Sequence, residues 1–507
     1  MTAYQAPRAF LISTIVAVIA IAGVLIPASR ASAETVQPTL SAGAANTCAI
    51  FANQKVYCWG SNVRKQLGIG TNNLSYALSP IPVNGVNGVP KVVSTGYDAA
   101  CTLLDFGSLR CWGSNSTGLL GAANAGRNVS SVQESARLAG ATSAVNGLAV
   151  GQGHMCFVDV DQSVKCQGLG TSGQLGNKST ASSTTPLVVD LGQPALQVVT
   201  GSNHSCALLA NKNVRCWGSN ALGQLGATAA TTNSTVPMTV PDLPNDITQI
   251  ASGADHTCAL RDDDSVTCWG ANSFGQLGDG TIAPFKGTVA VKELNGVVKE
   301  ITTGRMHSCA LFRNGNVRCW GGNDFGQLGN GNTTRSLTPA TVAGLIRPAA
   351  AISAGAHHTC ARLDDGAIRC WGRNEKGQLG DGSRTNSSAP VALAGAAGPS
   401  YMKMHVVSSG GKSTFTGLFI IRPPVPGFIE KRCKGTTIST VAVTQDGVTH
   451  RKGVRAKLRV SGTKCAANLR INGISNSASP ASVYVRSSFR GNSRLPAAQF
   501  SQSFEGL

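Results

Sequence analysis

Residues Thr302 to Asn332 read TTGRMHSCALFRNGNVRCWGGNDFGQLGNGN. Cys309 and Cys319 stand on either side of Asn314-Gly315, a turn signal between two apolar runs. A three-residue loop, Arg313-Asn314-Gly315, with Gly315 in the left-handed region gives a type I turn closed by a glycine bulge. That loop sets the register: Phe312 faces Asn316, Leu311 faces Val317 and Cys309 faces Cys319. The cysteines then form a non-hydrogen-bonded pair with Cα atoms about 4.5 Å apart, within the reach of a disulfide. Alternation along the strands puts Leu311, Val317 and the sulfurs on one face, and Ala310, Arg318 and Trp320 on the other. Both faces carry bulky apolar groups, so the small sheet must be packed on both sides.

The same arrangement recurs along the chain. Cys48 pairs in this way with Cys58, Cys101 with Cys111, Cys156 with Cys166, Cys206 with Cys216, Cys258 with Cys268, Cys309 with Cys319 and Cys360 with Cys370, the pairs standing about 50 residues apart. That period marks a solenoid or propeller. Zinc is the rival for the cysteines, but its ligands usually stand two to four residues apart in paired clusters. One cross-strand disulfide per repeat is therefore expected. All six tryptophans directly follow a second cysteine, and only the third repeat breaks this rule, with Gln167. Each repeat adds a strand before the first cysteine, such as Val297 to Gly304, and one after the GQLG turn, such as Pro339 to Val342. Four strands in each of seven repeats predict a closed seven-bladed β-propeller, since stacked blades cover both faces of each sheet.

The pattern G-x-x-H-[ST]-C-A-L…V-x-C-W-G-x-N-x-x-G-Q-L-G-x-G resembles the regulator of chromosome condensation repeat family over about residues 35–400. The resemblance implies a seven-bladed propeller. The paired cysteines resemble the secreted branch of that family found in bacteria and in plant crinkly-type receptor ectodomains. A secreted bacterial member inhibits β-lactamases, which implies protein binding; none of its contact residues carries over to this chain. Asn46 and Ala99 stand where the other five repeats have histidine, and Leu119 replaces the GQLG glutamine. Val407 to Phe415 aligns with Ile352 to Cys360, so the fragment 404–420 is expected at the end of the ring, as a latching strand or decayed repeat.

The termini differ from the repeats. Arg8, an apolar run from Ala9 to Ala28 and Ala31-Ser32-Ala33 read as a secretory leader, residues 1–33. The propeller then covers 34–422 and a β-rich domain 423–507. The tail's short alternating strands suggest a small β-sandwich, with Cys433 and Cys465 as its bridge. The net charge of +19 is concentrated there: residues 400–507 hold 16 Lys and Arg against 3 Asp and Glu. Arg451, Lys452, Arg455, Lys457 and Arg459 are candidate polyanion contacts, with Arg451, Arg455, Lys457 and Arg459 expected on one strand face. The other reading of that row is a solvated face of a basic domain.

Little in the repeats points to catalysis. His154, His204, His256, His307 and His358 occupy one repeat position, too far apart for a shared metal, and are expected to hydrogen-bond backbone within their own blades. The acidic runs Asp262-Asp263-Asp264 and Asp364-Asp365 fit turns, and the GQLG glutamines fit backbone clamps. Arg110, Lys165, Arg215, Arg318 and Arg369 fit stems packed between blades, with a charged ring in the channel as the alternative. No nucleophile triad, metal set or cofactor fingerprint stands out. The segments after GQLG, such as Ala122 to Gly140 and Ala227 to Pro241, vary and suit recognition. The expectation is an exported binding protein without enzymatic activity, using propeller loops on an extracellular protein. The alternative is attachment of the basic tail to anionic cell wall or membrane. A propeller-scaffold enzyme is a third reading, and would need unlike charged residues at the channel mouth. Specific recognition of nucleic acid is not expected.

Overall fold

The structure, a computed structural model, describes residues 40–394 apart from 71–73, 106, 123–124, 138–146 and 227–231, and the strands between 401 and 505. Seven four-stranded antiparallel sheets follow one another along the chain, each built from four consecutive strands. Blade 1 comprises Leu40–Ala42, Asn46–Ile50, Val56–Ser61 and Tyr76–Pro82. Blade 6 comprises Val298–Thr303, His307–Phe312, Val317–Gly321 and Ser336–Thr341, and blade 7 Ala349–Ala354, His358–Leu363, Ile368–Gly372 and Ser387–Ala392. The described residues thus form the expected propeller.

The hairpin register follows the loop. Leu311 pairs with Val317 and Cys309 with Cys319. Phe312 N donates to Asn316 O at 2.9 Å, and Gly315 sits at φ +82°. Other blades put Gln54, Gln162, Lys212 or Asp264 in the same left-handed place. Seven disulfides join the opposed cysteines in the expected pairing. Cys48 is bonded to Cys58, Cys101 to Cys111, Cys156 to Cys166 and Cys206 to Cys216. Cys258 is bonded to Cys268, Cys309 to Cys319 and Cys360 to Cys370. Their Cα atoms stand 4.0–4.2 Å apart, a little closer than the expected spacing. The predicted bridge between Cys433 and Cys465 lies outside the described residues, as does the leader, 1–33.

Each blade buries both faces against its neighbours. Cys309, Leu311, Val317 and Cys319 of blade 6 pack on Ala361 and Trp371 of blade 7. Cys258, Leu260, Val266 and Cys268 of blade 5 likewise pack on Ala310 and Trp320 of blade 6. The same contact closes the ring, where Cys360, Ile368 and Cys370 of blade 7 meet Ala49 and Trp59 of blade 1. Closure therefore needs no exchanged strand. The fragment 404–420, expected at the ring's end, instead lies in the hairpin Tyr401–Ser409/Lys412–Ile421, which pairs with Lys464–Ser475. Nine consecutive pairs knit that hairpin to itself, whereas blade 1 already has its own four strands.

The tail forms two four-stranded antiparallel sheets. Arg451, Lys452, Arg455 and Lys457 lie on the strand Val448–Lys457 of one sheet, and Arg459 on Arg459–Ser461 of the other. The expected row of four is therefore broken after Lys457. Two of the expected recognition loops are also partly strand: Asn128–Arg137 and Ser234–Thr239 are the fourth strands of blades 2 and 4.

Candidate functional site

The scaffold around the channel comes first, because it fixes everything the face can present. Seven glycines, Gly43, Gly96, Gly151, Gly201, Gly253, Gly304 and Gly355, end the inner strands. A Cβ on any of them would lie 2.2–2.7 Å from the carbonyl oxygen of the next glycine around the ring. Only glycine permits so close an approach. The result is a closed girdle, including the step from Gly355 to Gly43. Each girdle glycine starts a tight turn, its N–H donating to the carbonyl three residues on at 2.8 Å in all seven blades.

A second set of bonds ties five of the seven seams. His154, His204, His256, His307 and His358 each place Nε2 2.8–3.0 Å from a hydroxyl on the following blade: Ser205, Thr257, Ser308, Thr359 and Thr47. This corrects the expected bond to own-blade backbone: the ring edge faces the seam, where the neighbour's hydroxyl lies. Ser205, Ser308, Thr359 and Thr47 donate onward to the backbone carbonyls of Gln174, Gln276, Gln327 and Gln378 at 2.8–3.0 Å. At these four seams the hydroxyl proton is thus committed, so Nε2–H of His154, His256, His307 and His358 must donate to the hydroxyl oxygen, which defines the neutral tautomer. Burial fits this: it holds His154 at about 4 and His204, His256 and His358 at about 3, and pushes His307 far below its usual value. The same glutamine carbonyls accept the indole N–H of Trp217, Trp320, Trp371 and Trp59 at 2.9–3.0 Å. The glutamine side chains clamp their own loops, as Gln327 Oε1 accepts from Phe325 N at 3.0 Å.

The departures in the early repeats now make sense as sets. Where Asn46 and Ala99 replace histidine, the facing hydroxyl positions hold Ala100 and Met155. At the seam between blades 2 and 3 all four members change together, to Ala99, Met155, Leu119 and Gln167. Gln167 still serves in tryptophan's place, its Nε2 donating to Leu119 O at 2.7 Å.

On this constant backbone sit residue pairs no two of which are identical. The two central residues of the girdle turns are Ala44-Ala45, Tyr97-Asp98, Gln152-Gly153, Ser202-Asn203, Ala254-Asp255, Arg305-Met306 and Ala356-His357. The carbonyl of each second residue accepts, at 2.7–2.8 Å, the N–H of the residue after Trp-Gly or its equivalent, such as Arg373 onto His357. The first residue of each pair lines a cavity of about 120 Å³ at the channel mouth, to which all seven blades contribute.

Blades 6, 7 and 1 make this face cationic and aromatic. Arg305 is exposed at the cavity. The Arg373 guanidinium lies 4.7 Å from the Phe325 ring, the His357 ring meets Phe325 edge-on at 5.2 Å, and Arg384 lies 5.0 Å from Tyr76. Burial, then the Arg305 field, holds His357 near 4, so it is neutral here. Asp98 and Asp255, the second residues of their turns, have carboxyl pKa values raised by burial and accept from Gln66 and Gln224 at 3.5 and 3.3 Å.

The remaining expected residues fall elsewhere. Arg110, Lys165, Arg215, Arg318 and Arg369 do not line the cavity, which answers the charged-ring alternative. Arg318 instead lies over the Phe312 ring and donates to Glu293 O at 3.0 Å. Asp263 and Asp364 serve turns and ion pairs, accepting from Ser265 and Arg347. Among the described residues no cluster of three His, Cys, Asp or Glu could hold a metal. Sequence reading missed the mouth because its turn position holds five residue types in seven repeats; the signal available was its constant place, directly after the girdle glycine.

Fold and seam chemistry define a disulfide-stapled propeller with glycine-girdled blades. A model of the RCC1-like domain matches residues 111–417, and models of the regulator of chromosome condensation (RCC1) repeat match 39–66 and 53–101; the chain belongs to this family. It is 36% identical over 174 residues to the ultraviolet-B receptor UVR8 of Arabidopsis thaliana, covering 34% of this chain and 39% of UVR8. It is 34% identical over 165 residues to the human E3 ubiquitin-protein ligase HERC2, covering 32% of this chain and 3% of HERC2. The chain thus matches well under half the length of these relatives. Among solved structures it is similar to Prp20p of Saccharomyces cerevisiae, with a TM-score of 0.59 at 21% identity, covering 68% of this chain and 86% of that one. It is also similar to human WBSCR16, with a TM-score of 0.61 at 20% identity, covering 69% and 96%. These likenesses show the fold.

Proposed function

We propose that the protein is exported and acts as a non-enzymatic binding scaffold, gripping a protein partner with the channel-mouth face. One observation carries this reading: seven equivalent backbone turns present Ala44, Tyr97, Gln152, Ser202, Ala254, Arg305 and Ala356 around one cavity, five residue types on one repeated frame. A rigid frame with variable tips suits recognition. Arginine and aromatic side chains supply the anchors that dominate protein interfaces. Arg305, Phe325, Arg373 and Tyr76 are the residues we assign to contact. Seven disulfides suit oxidising surroundings, and Prp20p, studied for its binding to Gsp1p and histones, shows protein binding on the same fold. The test is a pull-down with the mature chain, 34–507, from the medium into which it is secreted, repeated with R305A, F325A and R373A. Each substitution should weaken capture by about 2 kcal/mol or more at a true anchor, with unchanged melting. Undiminished capture by all three would refute the assignment.

A second reading rests on the tail, whose net charge is +13 over residues 400–507, with Arg451, Lys452, Arg455 and Lys457 on one strand. It attaches the protein to anionic cell wall or membrane surface. Retention on such surfaces should fall with salt, since exposed charges are screened within about 8 Å at physiological ionic strength. Retention that ignores both salt and neutralisation of these four residues would remove this reading.

A further inference from the structure

The inner strands of blades 4, 5 and 6 carry a long polar side chain four residues before the girdle glycine: Gln197, Gln249 and Glu300. Each reaches across its seam to the next blade. Gln197 Oε1 accepts from Ile250 N at 2.9 Å, Gln249 Oε1 from Ile301 N at 2.9 Å, and Glu300 Oε1 from Ile352 N at 3.4 Å. Gln197 also returns a bond, its Nε2 donating to Ile250 O at 2.9 Å. The amide therefore closes a two-bond clamp. An ionised carboxylate in that place has no proton to return. Glu300 Oε2 is buried and has no hydrogen-bond partner, a costly position for a charged oxygen.

No nearby cation relieves it directly. Lys299, beside it on the strand, commits its Nζ to Ala350 O at 2.9 Å. Arg362 stands across the seam on His358–Leu363, opposite Ala351. Its field reaches the carboxyl, but the two form no ion pair, and Arg362 Nε is itself buried without a partner. The inner strands on either side, Ile247–Ser252 and Ala349–Ala354, bring no titratable group. His307 and His358, on the neighbouring strands, are held neutral by burial.

We propose that Glu300 is a proton-operated clamp: as the neutral acid it copies Gln197 and donates to the Ile352 carbonyl, and its ionisation unfastens the seam between blades 6 and 7. Burial raises its pKa from 4.5 to about 7, so release falls in the neutral range. The folded state holds the proton more tightly than the unfolded chain. Its contribution is therefore complete below about 4.5 and is lost as pH rises through about 7. The clamp goes beyond the binding function proposed above and stands without it, although Arg305 N bonds Ala356 O at 3.2 Å across the same seam.

Urea unfolding of the full chain with disulfides intact, from pH 4.5 to 8.5, tests this on wild type and E300Q. The ratio of their unfolding constants should rise by close to tenfold per pH unit between about 5 and 7, then level off. Parallel profiles would overturn the clamp. So would a wild type that gains on E300Q as pH rises, since that means an ion pair with Arg362. If E300Q does not fold, carbon-13 NMR of the wild-type carboxyl decides: a midpoint near 7 supports the proposal, and one near 4.5 overturns it.

Discussion

The girdle predicts that one methyl group can damage the ring where the same methyl two residues along the turn cannot. In G304A the new Cβ would stand 2.3 Å from Gly355 O, 2.3 Å from His307 Cε1 and 2.6 Å from His307 Nδ1. The carbonyl belongs to the next blade's girdle and the imidazole is fully buried and bonded to Thr359, so neither can step aside cheaply. Overpacking in such a place costs about 1–3 kcal/mol. Displacing His307 adds about 1 kcal/mol for its bond to Thr359. The expected loss is therefore about 2–4 kcal/mol. The control lies two residues after a girdle glycine. In G153A the Cβ meets Leu169 Cβ and Cδ2 at 3.3 Å and Thr117 Cγ2 at 3.4 Å, mostly side-chain tips that can shift, and the loss should stay under about 1 kcal/mol. Urea denaturation with the disulfides intact gives both numbers, and hydrogen exchange across Ala349–Ala354 should accelerate only in G304A. If the two variants are equally stable, the girdle does not set blade spacing and the reasoning fails.

Three further outcomes follow from the seams and staples. T359V strips the hydroxyl that joins His307 to the Gln327 carbonyl and should cost about 1–3 kcal/mol by leaving a buried imidazole N–H unpaired; a double variant H307A/T359V costing less than the sum of the singles would mark the coupling, and strict additivity would deny it. The five seam histidines stay neutral in the fold while unfolded histidine protonates near 6.5, so stability should fall as pH drops from about 6.5 towards 4; imidazole NMR signals from these residues that titrate between pH 8 and 5 would contradict the burial. Replacing Cys309 and Cys319 together by alanine should cost about 3 kcal/mol or less, the chain-entropy value for so small a loop, and should leave the hairpin register intact because the Arg313-Asn314-Gly315 turn sets it; mass spectrometry of the unreduced protein should show the seven within-blade bridges.

What the sequence could specify by itself was local. A three-residue loop with Gly315 fixes which residues face each other, and the two-residue period of a strand then fixes both faces. Cysteine pairing, two-sided burial and the number of blades all follow from those two periods and the 50-residue repeat. The propeller was legible for that reason. The seams were not, because they join residues about 50 positions apart whose meeting depends on how blades stack. Sequence could mark Asn46, Ala99 and Gln167 as odd. Only the packed ring showed that Asn46 and Ala99 face Ala100 and Met155 on the next blade, and that Gln167 bonds Leu119 of the blade before it. It also decided that the chain closes by packing blade 7 on blade 1, leaving 401–421 to pair within the tail. The channel mouth belongs to the same class: its residues keep a constant place after the girdle glycines but vary in type, and they become a site only when the girdle brings seven turns to one rim. Local sequence dictates what a hairpin does, because its contacts are a few residues away. The ring dictates what hairpins do to one another, because those contacts exist only once the last blade meets the first.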